Sequence, residues 1–400
     1  MLPECREETV TLTTQIQQSV KAISYGMIGG GPDSFIGNVH RIAARLDGLF
    51  HLETGAFSSD PTKSLTLAQE LNLSRSYAHW EAMIAGELER PEEDRISVVA
   101  IVTPNHLHAA PAIAALNAGF HVILDKPLCV SLQEAYDLQA AVQRAASKGQ
   151  HFCLTHTYSG YPMVKEARAR IAKGQLGSIR KIYIEYPQGW LSTFLEGDGH
   201  KQASWRTDPA RSGRVGALGD IGTHAFQLAE YVSGETITEV CADLRAVVPG
   251  RALDDDGAVL FRTASGASGV LMATQIAAGE ENNLRLRVYG DKGGLDWQQV
   301  ENNSLTLKLL DSPIQVYRAG GPGTLPASQK HTRVPAGHPE GYLEAFANLY
   351  RNFAWQIAAD RGERDADVDC DFPGIQDGMR GMAFIEAVLQ SNGTFVEIRG

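Results

Sequence analysis

The sequence predicts an α/β half built on a parallel sheet, followed by an α+β half built on an antiparallel sheet with one open face. Three observations carry this. At 400 residues the chain exceeds one ordinary domain. Up to about residue 155, nearly continuous apolar and β-branched runs alternate with helix-like stretches, as in parallel sheets covered on both faces. Beyond that point the strands alternate in polarity, as in Lys181-Ile182-Tyr183-Ile184-Glu185-Tyr186, which suits an antiparallel sheet with one side away from the core.

In the first half, residues 24–28 read as a short strand ending in glycine, 38–46 as a helix and 51–58 as a second strand. Another helical stretch leads to 96–103, an almost wholly apolar strand stopped by Pro104. Residues 111–118 then read as helix and 121–124 as a buried strand. In the second half, a helix over 164–173 ends at Gly174. Strands follow at 179–186, 237–248, 258–263, 267–276, 284–289 and 305–309. The Gly- and Pro-rich stretch 319–338 is a loop, and helices near 342–360 and 374–390 close the chain.

Composition narrows the function classes. Hydrophobic residues make up 43% and charged residues 21%, ordinary for a folded globular protein. The net charge of −11 lacks the basic footprint that phosphate backbones require, so nucleic acid is not the expected partner. Five cysteines, at 5, 129, 153, 241 and 370, form no C-x-x-C pair. That argues against a disulfide framework or structural zinc and points to the cytoplasm. No apolar run is long enough for a membrane span, and residues 1–22 read as a tail without a signal-peptide core.

The first motif is a strand, a glycine-rich turn and a helix, over Gly29-Gly30-Gly31-Pro32-Asp33-Ser34-Phe35-Ile36-Gly37. A dinucleotide fingerprint needs one glycine for the tight turn, one where backbone meets the pyrophosphate and one for close helix–strand packing. Gly29 and Gly31 supply the first two. Gly37 arrives late, behind an insertion of Pro32, Asp33 and Ser34. Phe35 and Ile36, between the turn and the helix whose N-terminus faces the phosphates, are expected to bind the cofactor. At the end of the second strand, Ser58 or Ser59 falls at the adenosine ribose, with Asp60 one step beyond. NAD(P) is therefore the expected cofactor, with a slight lean to NADP and Arg41 or Lys63 as phosphate partners.

Three more strings follow: Thr103-Pro104-Asn105-His106-Leu107-His108, Asp125-Lys126-Pro127, and Gly219-Asp220-Ile221-Gly222-Thr223-His224-Ala225. In this order, with the glycine turn, they closely resemble the glucose–fructose oxidoreductase/inositol dehydrogenase (Gfo/Idh/MocA) family from about Tyr25 to the chain end. The resemblance implies an N-terminal Rossmann domain and a C-terminal domain with a large, mostly antiparallel open-faced sheet. It also implies homodimers or homotetramers, and oxidation or reduction of a hydroxyl on a sugar or cyclitol. Lys126 matches the lysine of the family's Glu-Lys-Pro motif, although Asp125 replaces its glutamate. Asp220 and His224 match an Asp-x-x-x-His pair, and Thr103, Pro104, Asn105 and His106 match a loop lining the cofactor. The expected division is a tail over 1–22, a dinucleotide-binding domain over 23–152 and a substrate and oligomerisation domain over 153–400.

The residue types fit that chemistry. Removing a hydride from a secondary alcohol requires a base for the hydroxyl proton, and His224 titrates nearest neutrality. If 221–230 is a helix, Asp220 and His224 share one face of its first turn, where Asp220 orients the imidazole or serves only as an N-cap. Lys126 ends a buried strand, where open α/β sheets bind ligands, and its charge suits a developing alkoxide. Tyr158, Tyr161, Lys201, Trp205 and Arg206 suit stacking and hydrogen bonding to a polyhydroxylated ring. His106 and His108 lack a common metal-ligand spacing, so no metal is expected. Two alternatives stay open: a glycoside-cleaving enzyme that uses bound NAD for transient oxidation, and a non-catalytic dinucleotide-responsive binding protein.

Overall fold

A computed structural model describes residues 20–32 and 34–399, so most of the expected tail and Asp33 of the turn lie outside the described residues. The first sheet contains β1 (Ile23–Gly29), β2 (Phe50–Ala56), β3 (Val98–Val102), β4 (His121–Leu124) and β5 (Phe152–Leu154). All pairings are parallel, in the order β2-β1-β3-β4-β5. The strand order reverses between β1 and β3, where the crevice of an open α/β sheet forms. Helices α1 (Phe35–Leu46), α2 (Pro61–Glu70), α3 (Trp80–Leu88), α4 (Ala109–Asn117) and α5 (Leu132–Ala146) connect the strands. β3 is buried throughout, as its unbroken Val-Val-Ala-Ile-Val run requires when both faces are covered.

The second half begins with α6 (Pro162–Ala172), β6 (Ile179–Pro187), α7 (Lys201–Arg206), α8 (Pro209–Ser212) and α9 (Thr223–Ser233). It continues with β7 (Ile237–Arg245), β8 (Asp256–Thr263), β9 (Ser268–Thr274), β10 (Arg285–Gly290), β11 (Gly293–Gln298), β12 (Ser304–Leu309) and β13 (Gln315–Arg318). Then come α10 (Pro326–Gln329), α11 (Tyr342–Asp360), α12 (Ile375–Ser391) and β14 (Val396–Glu397). The sheet has nine strands, ordered β13-β12-β11-β10-β6-β9-β8-β7-β14. Only β6 and β9 pair in parallel, so both aim their C-terminal ends the same way. Ile182, Ile184 and Tyr186 are buried while alternate residues of β6 are partly exposed, as the polarity alternation predicts.

The fold is therefore an N-terminal Rossmann half and a C-terminal half with a large, mostly antiparallel sheet, as expected. The sequence reading places no element between residues 124 and 155, yet α5 and β5 lie there, and it passes over β11, β13 and β14. It also leaves 319–338 as loop, where α10 makes one short turn. Helices α11 and α12 return to the first sheet. Phe346, Tyr350 and Phe353 join Tyr25, Phe50 and Ile123 in one core, and Met379, Met382 and Ile385 join Ile101, Leu124 and Leu154 in another. This doubly shared packing holds the carboxyl ends of β1–β5 against the second half.

The glycine turn is sterically closed to side chains. Gly29 (φ +81°) and Gly30 (φ +69°) occupy left-handed conformations, and a Cβ on Gly37 would lie 2.5 Å from the Gly30 Cα. Ser34 caps α1 by accepting from the Gly37 N–H at 3.1 Å. Gly37→Ala must therefore push the helix from the turn. The expected result is a loss of about 1–3 kcal/mol of stability, with weaker dinucleotide binding, read by thermal denaturation and calorimetric titration.

Candidate active site

The carboxyl ends of the five parallel strands gather the motifs into one crevice. The glycine turn follows β1, Phe57-Ser58-Ser59 follows β2, and the Thr103–His108 string follows β3. Asp125-Lys126 follows β4 and Thr155-His156 follows β5. Thr103 Oγ1 donates to the Leu107 carbonyl at 2.9 Å, closing the loop that begins at Pro104. Asn105 Nδ2 donates to the Ser212 carbonyl at 3.2 Å, and His106 Nδ1 lies 3.3 Å from the Arg211 carbonyl, tying this loop to α8. His108 is buried with its ring nitrogens 2.7 and 2.8 Å from the carbonyls of Pro127 and Thr103, so it staples the β3 loop to the Lys126 loop.

The centre of the crevice is an ion pair. Lys126 Nζ donates to Asp220 Oδ1 at 2.7 Å and to the Asp220 carbonyl at 2.9 Å. Asp220 Oδ2 accepts from Gln275 Nε2 at 3.0 Å and lies 3.3 Å from Arg206 Nε. Burial alone would raise the Asp220 pKa, but Lys126 and Arg206 pull it well below the usual carboxylate range, so it stays ionised. Lys126 keeps a third N–H beyond its two bonds to Asp220. Behind it, Asp125 is buried and accepts from Thr155 Oγ1 at 2.8 Å, with His40 Nε2 at 3.7 Å. Burial opposes ionisation of Asp125, yet His40 and Lys126 bring its pKa down to about 2.

The segment carrying Asp220 differs from the expected plain helix over 221–230. Residues Leu218–Gly222 form a π-helical turn that runs into α9. Such an insertion re-aims side chains, and Asp220 faces Lys126 and Gln275 rather than the imidazole four residues on. Nor is Asp220 the cap. Asp254 does that work, its carboxylate accepting from the N–H groups of Gly216 and Leu218 at 2.6 and 2.8 Å. Among the described residues the hydrogen-bond partner of His224 is His156, whose Nδ1 lies 3.4 Å from His224 Nδ1. Burial, then the charge of Lys126, holds His224 well below the usual imidazole pKa, so it is neutral.

The remaining sequence candidates divide. Tyr158 stands edge-on to His224, with ring centroids 5.0 Å apart, and its hydroxyl meets that of Tyr186. Tyr186 in turn donates to Asn282 Oδ1 at 2.8 Å. Arg206 stacks on Trp205 at 4.3 Å while reaching Asp220. Tyr161 is 1% exposed and packs on Trp297 in the core. Lys201 opens α7, and its side chain lies outside the described residues. Sequence reasoning missed Gln188 and Gln275, which follow the parallel strands β6 and β9 side by side. Gln275 Nε2 lies 3.2 Å from Gln188 Oε1, so a polar chain runs from Asp220 across the sheet end. The shared direction of β6 and β9 was the signal available.

At the adenosine end, Phe35 is 70% exposed at the start of α1, Ile36 is partly buried beside it, and Ser59 is exposed beyond half-buried Ser58. Asp60 caps α2 by accepting from the Thr62 and Lys63 N–H groups at 2.9 and 3.3 Å. Arg41, an expected phosphate partner, is spent elsewhere. It donates to the Gly30 carbonyl at 2.8 Å and to Asn38 Oδ1 at 2.6 Å.

Two histidines also fix an acid response, His156 in the crevice and His121 at the opposite, N-terminal end of β4. Burial lowers the pKa of His156 to about 3 and that of His121 to about 4. Between the unfolded value near pH 6.5 and those folded values, the unfolded state binds more protons. Stability therefore falls as pH falls through that window, by about 1.4 kcal/mol per pH unit for each such histidine. Urea unfolding at pH 7 and pH 5 should show the loss before the carboxylates begin to titrate.

A parallel sheet with a glycine turn at its switch point, facing a partly buried Lys-Asp pair and a neutral histidine, defines a dinucleotide-dependent oxidoreductase. Residues 23–152 match the oxidoreductase family with an NAD-binding Rossmann fold, and residues 164–296 match the GFO/IDH/MocA C-terminal domain. The chain is 34% identical to an uncharacterized oxidoreductase, YfiI, of Bacillus subtilis, over 93% of this chain and 95% of that one. A levoglucosan dehydrogenase of Pseudarthrobacter phenanthrenivorans is 30% identical over 71% of this chain and 75% of its own length. The inositol dehydrogenase homolog of Azotobacter vinelandii, solved with NAD+, is 34% identical with a TM-score of 0.89, covering 94% of this chain and 97% of that one. The same homolog has been solved with NADH and myo-inositol, at 32% identity, a TM-score of 0.87 and coverage of 95% and 98%. This chain belongs to the GFO/IDH/MocA oxidoreductase family and is a dehydrogenase or reductase dependent on NAD(P).

Proposed function

We propose that the enzyme transfers a hydride between nicotinamide and a secondary hydroxyl or ketone of a sugar or cyclitol, with Lys126, Asp220 and His224 at the reacting centre. The observation that carries this reading is the Lys126–Asp220 pair at 2.7 Å beside neutral, buried His224, all at the carboxyl ends of the Rossmann strands. The named substrates of the levoglucosan dehydrogenase and the myo-inositol complex support the substrate class.

The residues present fit a dinucleotide. A Cβ on Gly31 would lie 2.9 Å from the Phe57 carbonyl, so backbone alone lines the turn there, and α1 points its first amides toward it. Gly29, Gly31, Phe35, Ile36 and Gly37 would hold the pyrophosphate side. Ser58 and Ser59 would meet the ribose, and Thr103, Pro104, Asn105, His106 and Lys126 would line the nicotinamide side. The bound nicotinamide supplies the hydride acceptor or donor. Lys126 directs its third N–H to the reacting oxygen, Asp220 keeps that ammonium in place, and His224 takes or returns the hydroxyl proton. Tyr158, Trp205 and Arg206 flank the substrate.

Between the two cofactors we favour NAD over the NADP towards which the sequence leans. Arg41 is committed to Gly30 and Asn38, and the Asp60 carboxylate beside Ser59 repels a 2′-phosphate. The free cysteines among the described residues suit a reducing cytoplasm, and the exposed Leu260 and Met272 on the open sheet face suit a homo-oligomer. The test is to titrate NAD+ and NADP+ separately, then follow reduced cofactor over a panel of cyclitols, pyranoses and anhydrosugars. Binding of NAD+ at least about tenfold tighter, with turnover on one panel member, is expected; such a gap is about 1.4 kcal/mol. Equal or tighter binding of NADP+ contradicts the cofactor assignment, and cleavage of a glycoside without net reduced cofactor favours the glycoside-cleaving alternative.

A further inference from the structure

His156 follows β5 and faces the crevice from the first half, while His224 sits in the first turn of α9 in the second. The Nδ1 atoms of the two rings are 3.4 Å apart and the rings stand at 85° to each other, both buried. The two rings cannot both turn a lone pair to that contact, since two acceptors facing each other repel. One Nδ1 must carry a proton and the other must accept it. Each choice fixes the opposite nitrogen of a neutral ring. If His224 Nδ1 donates, its Nε2 is a bare lone pair; if it accepts, its Nε2 carries hydrogen and cannot take a proton.

The geometry points to His156 as a positioning residue that holds His224 in the Nδ1–H tautomer, so that Nε2 is the base presented to the substrate hydroxyl. This rests on the reading of His224 as the proton acceptor. Among the described residues His224 Nδ1 has its partner in His156, and Nε2 has none. The surroundings agree. Tyr158 and Tyr186 meet His224 through ring contacts, T-shaped at 5.0 Å and tilted at 6.4 Å between centroids, rather than through a competing hydrogen bond. The charges acting on the imidazole are Lys126 and Asp220, and the cation of Lys126 favours a lone pair over an N–H turned towards it. In alcohol oxidation the O–H bond breaks and an Nε2–H bond forms, while the carbinol hydride passes to the nicotinamide. The resulting imidazolium keeps its Nδ1–H bond to His156. In ketone reduction the same Nε2 proton returns to the oxygen.

The test uses the full chain with NAD+, labelled with 15N-histidine, and reads the tautomer of His224 from its ring nitrogens. His224→Gln supplies the assignment. In the unaltered protein Nε2 is expected at the unprotonated, pyridine-type position and Nδ1 at the protonated one. In His156→Leu, which removes the acceptor, the Nε2 resonance moves to the protonated position. His156→Asn places a carbonyl oxygen at the same bond count as Nδ1 and restores the original pattern. In myo-inositol oxidation with NAD+, kcat should fall about tenfold in His156→Leu and recover in His156→Asn, with the KM for NAD+ unchanged. A protonated Nε2 in the unaltered protein overturns the inference, as does a spectrum indifferent to His156→Leu or a failure of His156→Asn to restore it. The spectrum of the unaltered protein decides even if the leucine variant fails to fold. Full turnover by His224→Ala would instead overturn the underlying assignment of His224 as base.

Discussion

Lys126→Met is expected to lower kcat by about 10²–10³ and to destabilise the enzyme. The catalytic loss is that of one preorganised donor at a developing alkoxide. The stability loss has a separate origin. Asp220 is partly buried with its Oδ1 on Lys126, and removing the lysine leaves that charge with only Arg206 and Gln275. Breaking a buried pair from one side costs about 3–5 kcal/mol when no other partner remains, and the Arg206 contact should reduce that figure. A second variant separates the two effects. Lys126→Met combined with Asp220→Asn removes the unpaired charge, so the melting temperature should recover while kcat stays low. Recovery of both would show that Lys126 acts only through the fold.

His224→Ala is expected to reduce alcohol oxidation by about 10²–10⁴, the range for a positioned general base. Because burial and Lys126 depress its pKa, His224 is still unprotonated at pH 6.5. The acid limb of kcat against pH should therefore lie below pH 6.5 in the unaltered enzyme and vanish in the variant. The titratable and charged groups around His224 are His156, Lys126, Asp220, Tyr158 and Tyr186, and burial pushes both tyrosines upward, away from that pH range. A variant that keeps the acid limb would move the proton transfer to another group. KM for NAD+ should be little changed, since the imidazole sits in the second half, beyond the glycine turn.

Much of this was legible before any coordinates. β4 and α11 fall where the apolar patterns place them, and the glycines at 29, 31 and 37 read as a turn because only glycine fits such close backbone approach. Lys126, Asp220 and His224 were found because the motifs holding them are contiguous. What the sequence concealed has a common physical cause. β5 is three residues long, too short for a period to show, and β11 opens on two glycines, which read as a turn. The π turn at Leu218–Gly222 depends on Asp254, a cap supplied 36 residues later. The meeting of His156 with His224 depends on how the two halves pack, and no spacing along the chain encodes it. Tyr161, one turn from Tyr158, looked equally suited to the crevice, yet its ring turns into the core against Trp297.

The account stands most directly on hydride transfer itself. The decisive measurement is incubation of the purified enzyme with NAD+ and a cyclitol or sugar deuterated at its carbinol carbons, with reduced cofactor followed by absorbance and its C4 position examined by mass spectrometry or NMR. One equivalent of reduced cofactor per alcohol oxidised, carrying deuterium at C4 and lost in Lys126→Met and His224→Ala, is the predicted result. Tight NAD+ binding with no deuterium transfer from any member of a broad cyclitol and sugar panel would contradict it.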